Sequence, residues 1–252
     1  MHLIDDHCHL DDPSFQDDLD AVIARAKKAG VAFIVSNGTD PASNERVLNL
    51  AKRYDIVKPA LGIYPTTAAR MTEPAFLQAH SLIKTAKPIA IGEVGLDHKE
   101  VTDEEEQAVM EARFLALART AQELNIPLIV HSRKAEERCI SLLETIKARN
   151  VVMHCFCGKK RLVQRVAHLG WYFSIPATIV RSEHFQNIAR STPLTRLLTE
   201  TDSPYLSPTR DRNEPANVIH AVHAIAAIKD LTPEETANHL FMNFQRVFLS
   251  KP

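Results

Sequence analysis

The chain has 252 residues, 45% of them apolar and 24% charged, with a formal net charge of -1. That is enough chain to bury a large core, as one α/β barrel or two small domains, and the composition is that of an ordinary soluble globular protein. So even a balance excludes a basic field over the whole surface of the kind that marks a general nucleic-acid or anionic-membrane binder, and leaves room only for a local basic site.

The first expected strand is carried by Leu3-Ile4-Asp5-Asp6-His7-Cys8-His9. Side chains alternate faces along a strand, so His7 and His9 point the same way, two imidazoles aimed at one place. A helix is expected from Phe15 to Ala29, with Leu19, Val22, Ile23 and Ala26 at helical spacing and Gly30 as its stop, before the β-branched run Val31 to Val35. The alternation continues with a helix near 41–53, strand Val57 to Ile63, a helix near 74–85, strand Ile89 to Val94 and a long helix from Asp103 to Leu124. Next come strand Leu128 to His131, a helix near 133–148, strand Val151 to His154, a helix near 160–169 and strand Trp171 to Ile175. A short helix near 183–190, strand Leu197 to Thr201 and helices near 215–229 and 233–249 complete it.

Eight strands separated by helices call for a parallel sheet, and in this length they match a TIM (β/α)8 barrel. An open doubly wound sheet that binds nucleotides would need a GxGxxG or GxxxxGK[ST] turn, and none occurs among the seven glycines. No Gly-, Ser- or Pro-rich linker divides the chain, so residues 1–252 are taken as one domain. Ser203 to Pro215 reads as a long polar loop after the eighth strand, on the face where barrel enzymes keep their sites. Cys8, Cys139, Cys155 and Cys157 form no CxxC pair, and no run of about 18 apolar residues occurs. A cytoplasmic protein without a membrane span is expected.

Ionisable residues close the strands. Glu93, His131, His154 and Asp202 each stand at or just past the end of an expected strand, and with His7 and His9 they make four imidazoles and two carboxylates from five strands. In a barrel these ends converge, and burying six such groups together without a cation would be costly. Six ligands exceed one tetrahedral ion and suit two. The expected division is His7, His9 and Asp202 on one ion, His131 and His154 on the other, and Glu93 between them, since a carboxylate can span two ions and an imidazole cannot. A water between the ions would serve as nucleophile near neutral pH. Glu93 and Asp202 are the expected catalytic residues, Asp202 as base for that water or as ligand only.

The ordered series Asp-x-His-Cys-His-Leu at 5–10, Gly-Glu-Val-Gly-Leu-Asp at 92–97, His-Ser-Arg at 131–133, His-Cys-Phe at 154–156, Thr-Asp-Ser-Pro at 201–204 and Arg-Asn-Glu-Pro at 212–215 resembles the TatD family of metal-dependent deoxyribonucleases. The resemblance implies a barrel metallohydrolase with two divalent ions that cleaves phosphodiesters in DNA, often from a 3′ end, and the ligand set agrees with the family's. Mg²⁺ would support activity, and so nitrogen-rich a site should also hold Zn²⁺, Mn²⁺ or Ni²⁺. The expected partner is single-stranded DNA at its 3′ end, and the expected state a monomer.

One position departs from the pattern. Where the family has Gly-x-His-Pro after the third strand, this chain has Gly62-Ile63-Tyr64-Pro65. Tyr64 can donate a hydrogen bond to a phosphate oxygen but cannot pass a proton near pH 7. With Tyr64, the expected substrate contacts are Arg133, Lys159 and Arg212, with Lys160 and Arg210 as further phosphate partners; Asp97 and His98 are read as supporting or surface groups. Tyr64 and the even charge balance leave an alternative, hydrolysis of a small amide, lactone or ester, and beyond it a non-catalytic metal-bound scaffold. Retention of every ligand, Asp202 included, argues against the scaffold.

Overall fold

The computed structural model describes residues 1–250. Eight strands, β1 (Leu3–Cys8), β2 (Val31–Asn37), β3 (Val57–Leu61), β4 (Ala90–Asp97), β5 (Leu128–Arg133), β6 (Val151–His154), β7 (Tyr172–Pro176) and β8 (Leu197–Glu200), lie in chain order in one sheet. Each pairs in parallel with the next. Around them run α1 (Leu19–Ala29), α2 (Pro41–Arg53), α3 (Pro65–Arg70), α4 (Glu73–Ala86), α5 (Glu104–Leu124), α6 (Glu136–Thr145), α7 (Lys160–His168) and α8 (Glu183–Ser191), and α9 (Val218–Lys229) and α10 (Pro233–Phe244) follow β8. The sheet curls until β8 reaches β1. There the Thr199 hydroxyl donates to the Ile4 carbonyl at 2.9 Å, the Asp202 N–H to the His7 carbonyl at 2.9 Å and the His9 N–H to the Ser203 carbonyl at 2.7 Å. The expected barrel forms, and its seam is closed by the segments that carry ligands.

The local signals mostly hold. α1 buries Val22, Ile23 and Ala26 and stops at Gly30, whose φ of 90° suits glycine and whose N–H reaches the carbonyls of Ala26 and Lys27. α5 starts where the Asp103 carboxylate accepts from the N–H groups of Glu105 and Glu106. Among the differences are three in the helices. Pro13–Phe15 forms its own 3₁₀ turn, capped by Asp12, so the first helix begins at Leu19 rather than Phe15. α3 was not expected, although Pro65 sits at its first position, where proline's fixed φ is favourable. The helix expected over 133–148 shortens to Glu136–Thr145, because Arg133 still belongs to β5 and Lys134 has a φ of 57°.

Apolar packing occurs in two places. One layer lies between the sheet and the surrounding helices. The other fills the barrel where the strands begin: Ile4, Val35, Ala60, Ala90, Ile129, Val152, Tyr172 and Leu198, one per strand, covered by Phe244, Val247 and Phe248 from the chain's last turns. Among the described residues no helix is long and apolar enough to cross a membrane.

Candidate metal centre

At the opposite end of the barrel the six expected ligands come together. Glu93 is at the centre, and its two oxygens face different partners. Oε2 lies 3.6 Å from His7 Nε2 and 3.4 Å from His9 Nε2; Oε1 lies 2.8 Å from His131 Nδ1 and 3.8 Å from His154 Nε2. Asp202 Oδ1 lies 3.7 Å from His7 Nε2, 3.5 Å from His9 Nε2 and 4.0 Å from His154 Nε2. Most of these separations are too long for sound hydrogen bonds. Two ligands that each stand about 2.0–2.2 Å from a shared ion are themselves separated by roughly 3.0–3.6 Å, so the spacing around His7 and His9 fits a common cation. His7 supplies a second test of fit. It is fully buried, and neither ring nitrogen has a hydrogen-bond partner. An orphaned buried imidazole is costly unless something else takes its lone pair.

Neighbouring groups set which nitrogen of each ring faces inward. His9 Nδ1–H donates to the Asn37 carbonyl at 2.9 Å, and His154 Nδ1–H donates to Glu200 Oε2 at 2.8 Å, so in both rings Nε2 is left for the centre. His131 is turned the other way, with Nε2 toward Asp97 Oδ2 at 3.2 Å and Nδ1 toward Glu93. Glu200 Oε1 also accepts the Cys155 N–H at 3.0 Å, which fixes that carboxylate in turn. Sequence reasoning assigned no role to Glu200 or Asn37. A signal for Glu200 existed, since it stands two residues before Asp202 at the same strand end; Asn37 acts through its backbone, and no spacing rule reveals that.

The electrostatics describe a site made for positive charge. Burial alone would raise Glu93, but the hydrogen bond to His131 and the nearby imidazoles of His7 and His9 hold it well below the usual carboxylate range. Asp202 is likewise lowered, against burial, by His154, His9 and His7. Burial would lower His154, yet Glu200 and Asp202 bring it up to about 10, while burial takes His7 down to about 4. The carboxylates thus stay ionised, and in the absence of a cation some of the imidazoles must carry the balancing protons. Beneath the ligands, burial pushes Asp5 up to about 8, against the hydrogen bonds that it accepts from the Thr201 N–H and hydroxyl.

The centre opens into a cavity of about 780 Å³, lined among others by His9, Asp11, Asp12, Tyr64, Glu93, His131, Arg133, His154, Asp202, Tyr205 and Leu206. The Tyr64 hydroxyl lies 3.4 Å from His131 Nε2 and 3.5 Å from Asp97 Oδ2; burial and nearby carboxylates push the phenol up, so it remains a donor. Arg133 reaches the cavity with its guanidinium 3.6 Å from Glu100. Lys159 does not. It borders an adjoining hollow of about 680 Å³ that shares Cys157 with the main cavity.

Arg212, expected at the substrate, is placed elsewhere: it pairs with Asp18 at 2.8 Å, lies 4.5 Å over the Phe15 ring and donates to the Ser14 carbonyl, so it fastens the loop after β8 to the start of the chain. Asn213 fastens the same loop from within, donating from one buried amide to the carbonyls of Thr201 and Tyr205, each at 2.7 Å.

A family model described as TatD-related DNase matches residues 4–249. The human deoxyribonuclease TATDN3 is 35% identical over 262 aligned residues, covering 98% of this chain and 94% of the relative. The 3′-5′ ssDNA/RNA exonuclease TatD of Erwinia tasmaniensis is 32% identical, covering 95% and 97%. Among solved structures, YJJV, a TATD homolog from Escherichia coli, superposes with a TM-score of 0.89 at 27% identity over 99% of this chain and 98% of that one.

Proposed function

The chain belongs to the TatD-related DNase family, and from that premise we propose that it is a divalent-metal-dependent hydrolase of phosphodiester bonds that releases nucleotides from the 3′ end of single-stranded DNA. The observation that carries this reading is the division of Glu93, one oxygen toward His7 and His9 and the other toward His131 and His154. Two divalent ions would then be held by His7, His9 and Asp202 on one side and by His131 and His154 on the other, with Glu93 common to both. Mg²⁺ is the ion proposed for turnover, with Zn²⁺, Mn²⁺ or Ni²⁺ retained by the nitrogen donors. Bound there, such ions would polarise a phosphoryl oxygen and make water nucleophilic near neutral pH.

The chain's own residues supply the rest. Asp202, held ionised, is placed to accept the proton of the attacking water. Tyr64 donates to a phosphate oxygen, and Arg133 offers a fork of donors at the cavity wall. The recessed centre favours a chain end over the middle of a duplex, whose two strands would have to bend inward. All six ligands come from one chain, so the proposed monomer would hold a complete centre, and four free cysteines suit a reducing compartment such as the cytoplasm.

The test is incubation of metal-reconstituted protein with single-stranded oligonucleotides labelled at the 3′ or the 5′ end, with Asp202→Asn as control. Release of labelled mononucleotide at once from the 3′-labelled strand, and a descending ladder from the 5′-labelled one, are expected. Intact oligonucleotides beside turnover of small amides, lactones or esters would favour the alternative, to which the Asp12 carboxylate in the cavity wall lends some weight.

A further inference from the structure

Two large apolar side chains stand exposed side by side in the loop that follows Asp202. Tyr205 is 55% exposed and Leu206 38%, and both line the cavity above the ligands. The Tyr205 ring meets the His9 ring edge-on, with centroids 6.2 Å apart. It is not a loose surface group. Its N–H donates to the Asp202 carbonyl at 2.8 Å, its carbonyl accepts from Asn213 at 2.7 Å, and its hydroxyl donates to Asp12 Oδ2 at 2.9 Å. An aromatic ring held in place yet left open to solvent gives up side-chain freedom without gaining the packing of a core, which is the arrangement of a platform awaiting a flat partner.

Charge fixes which part of a nucleotide faces it. On the Tyr205 side of the cavity the charge of Asp11 is offset by Arg46 at 3.0 Å, and Asp12 has no cationic partner among the described residues, so this side on balance disfavours phosphate. Arg133 ends β5, on the far side of an eight-stranded barrel from β1 and His9. A nucleotide with its phosphate near Glu93, Asp202 and Arg133 therefore turns its base toward Tyr205. We propose that Tyr205, backed by Leu206, stacks on the base of the terminal nucleotide being released. This rests on the phosphodiesterase reading and adds the group by which the end is gripped. Because every base presents a π-face, the grip discriminates little among the four.

The experiment compares metal-loaded wild type, Tyr205→Ala and Tyr205→Phe on oligonucleotides whose 3′-terminal residue either carries a base or is abasic. Removing the base should cost wild type about 10-fold in kcat/KM, mostly through KM, which lies within the range for a base stacked on an aromatic side chain. Tyr205→Ala should lose about as much on the normal end and nothing further on the abasic one, whereas Tyr205→Phe, which keeps the ring, should stay within about 3-fold of wild type. Dissociation constants measured in the Asp202→Asn background should show the same pattern without turnover. Equal losses by Tyr205→Ala on both ends, or equal handling of both ends by wild type, would overturn the stacking role while leaving the phosphodiesterase reading intact. A wild type that cleaves no oligonucleotide would remove both.

Discussion

Where the strands begin, the barrel is filled by Ile4, Val35, Ala60, Ala90, Ile129, Val152, Tyr172 and Leu198 under the aromatic cover of Phe244 and Phe248. Two residues further along the same strands stand Asp6, Asn37, Gly62, Gly92, His131, His154, Ser174 and Glu200. One step of the strand repeat thus separates an apolar layer from one made of polar residues and glycine. The lower end gains by burying apolar surface. The upper end bears costs, in the unpartnered nitrogens of His7 and in carboxyls that burial pushes upward at Asp5 and Asp6. The difference teaches that stability and chemistry are kept at opposite ends of one set of strands, so substitutions at the two ends should fail in different ways.

The largest effect is expected at Glu93. Glu93→Gln removes the charge that faces both pairs of histidines, so elemental analysis should find neither ion retained at the level of wild type, and turnover should fall by about 10³-fold or more, within the range of a lost acid-base and electrostatic group. Two ions still bound per chain in that variant would break the binuclear assignment. At the other end, Phe244 is fully buried and stacks with centroids 5.2 Å from Phe33 and 4.7 Å from Phe248. Phe244→Ala should lower unfolding free energy by about 3–4 kcal/mol, as emptied aromatic sites do, while ion content and turnover per folded molecule remain those of wild type. Loss of the ions in this variant would mean that the two ends are coupled.

Smaller and more telling is Glu200→Gln. The carboxylate does not face the proposed ions but holds His154 by Nδ1–H at 2.8 Å. Weakening such an orienting bond commonly costs about 10- to 100-fold in metal affinity. A titration that follows the ions separately should therefore show the loss on the His131–His154 side, with the His7–His9 side nearly unchanged. Uniform weakening of both would show that Glu200 acts through the whole buried charge cluster.

This two-ended division was legible in the sequence only from above. His131, His154 and Glu93 were visible because each stands at the end of an expected strand, and a barrel gathers such ends at one place. The apolar layer was less visible, since Ala60 and Ala90 look unremarkable until other strands of the barrel bring Ile129 and Tyr172 into the same cluster. Asn213 was visible only within the Arg-Asn-Glu-Pro run that carries the resemblance, without a role: asparagine in a proline-rich polar loop is normally solvated, and only the folded loop shows its amide clamped between two carbonyls. Arg212 misled for a related reason. An arginine on the loop after β8 is near the mouth by topology, but its partner Asp18 lies 194 residues away in sequence, and long-range pairing is what spacing rules do not contain.

The smallest expected effect sharpens the comparison at the rim, where charge rather than packing is at stake. Each phosphate contact on single-stranded DNA releases a counterion and steepens the dependence of log affinity on log salt by about 0.7. Arg133 borders the main cavity and Lys159 the adjoining hollow, and among the described residues Lys159 has no ion-pair partner, whereas Arg212 is engaged with Asp18 and Phe15. Engagement of only about two to four phosphates is therefore expected, a slope of roughly -1.5 to -3. Lys159→Ala should make the slope shallower by about 0.7 and weaken binding a few-fold at moderate salt. Arg212→Ala should leave the slope unchanged and act instead through a loosened loop. The stability loss in Phe244→Ala, being apolar in origin, should be nearly the same at low and moderate salt. A slope steeper than about -5 would reveal a basic surface running well beyond the mouth, and trimming of single-stranded ends would no longer be the activity that the charge distribution favours.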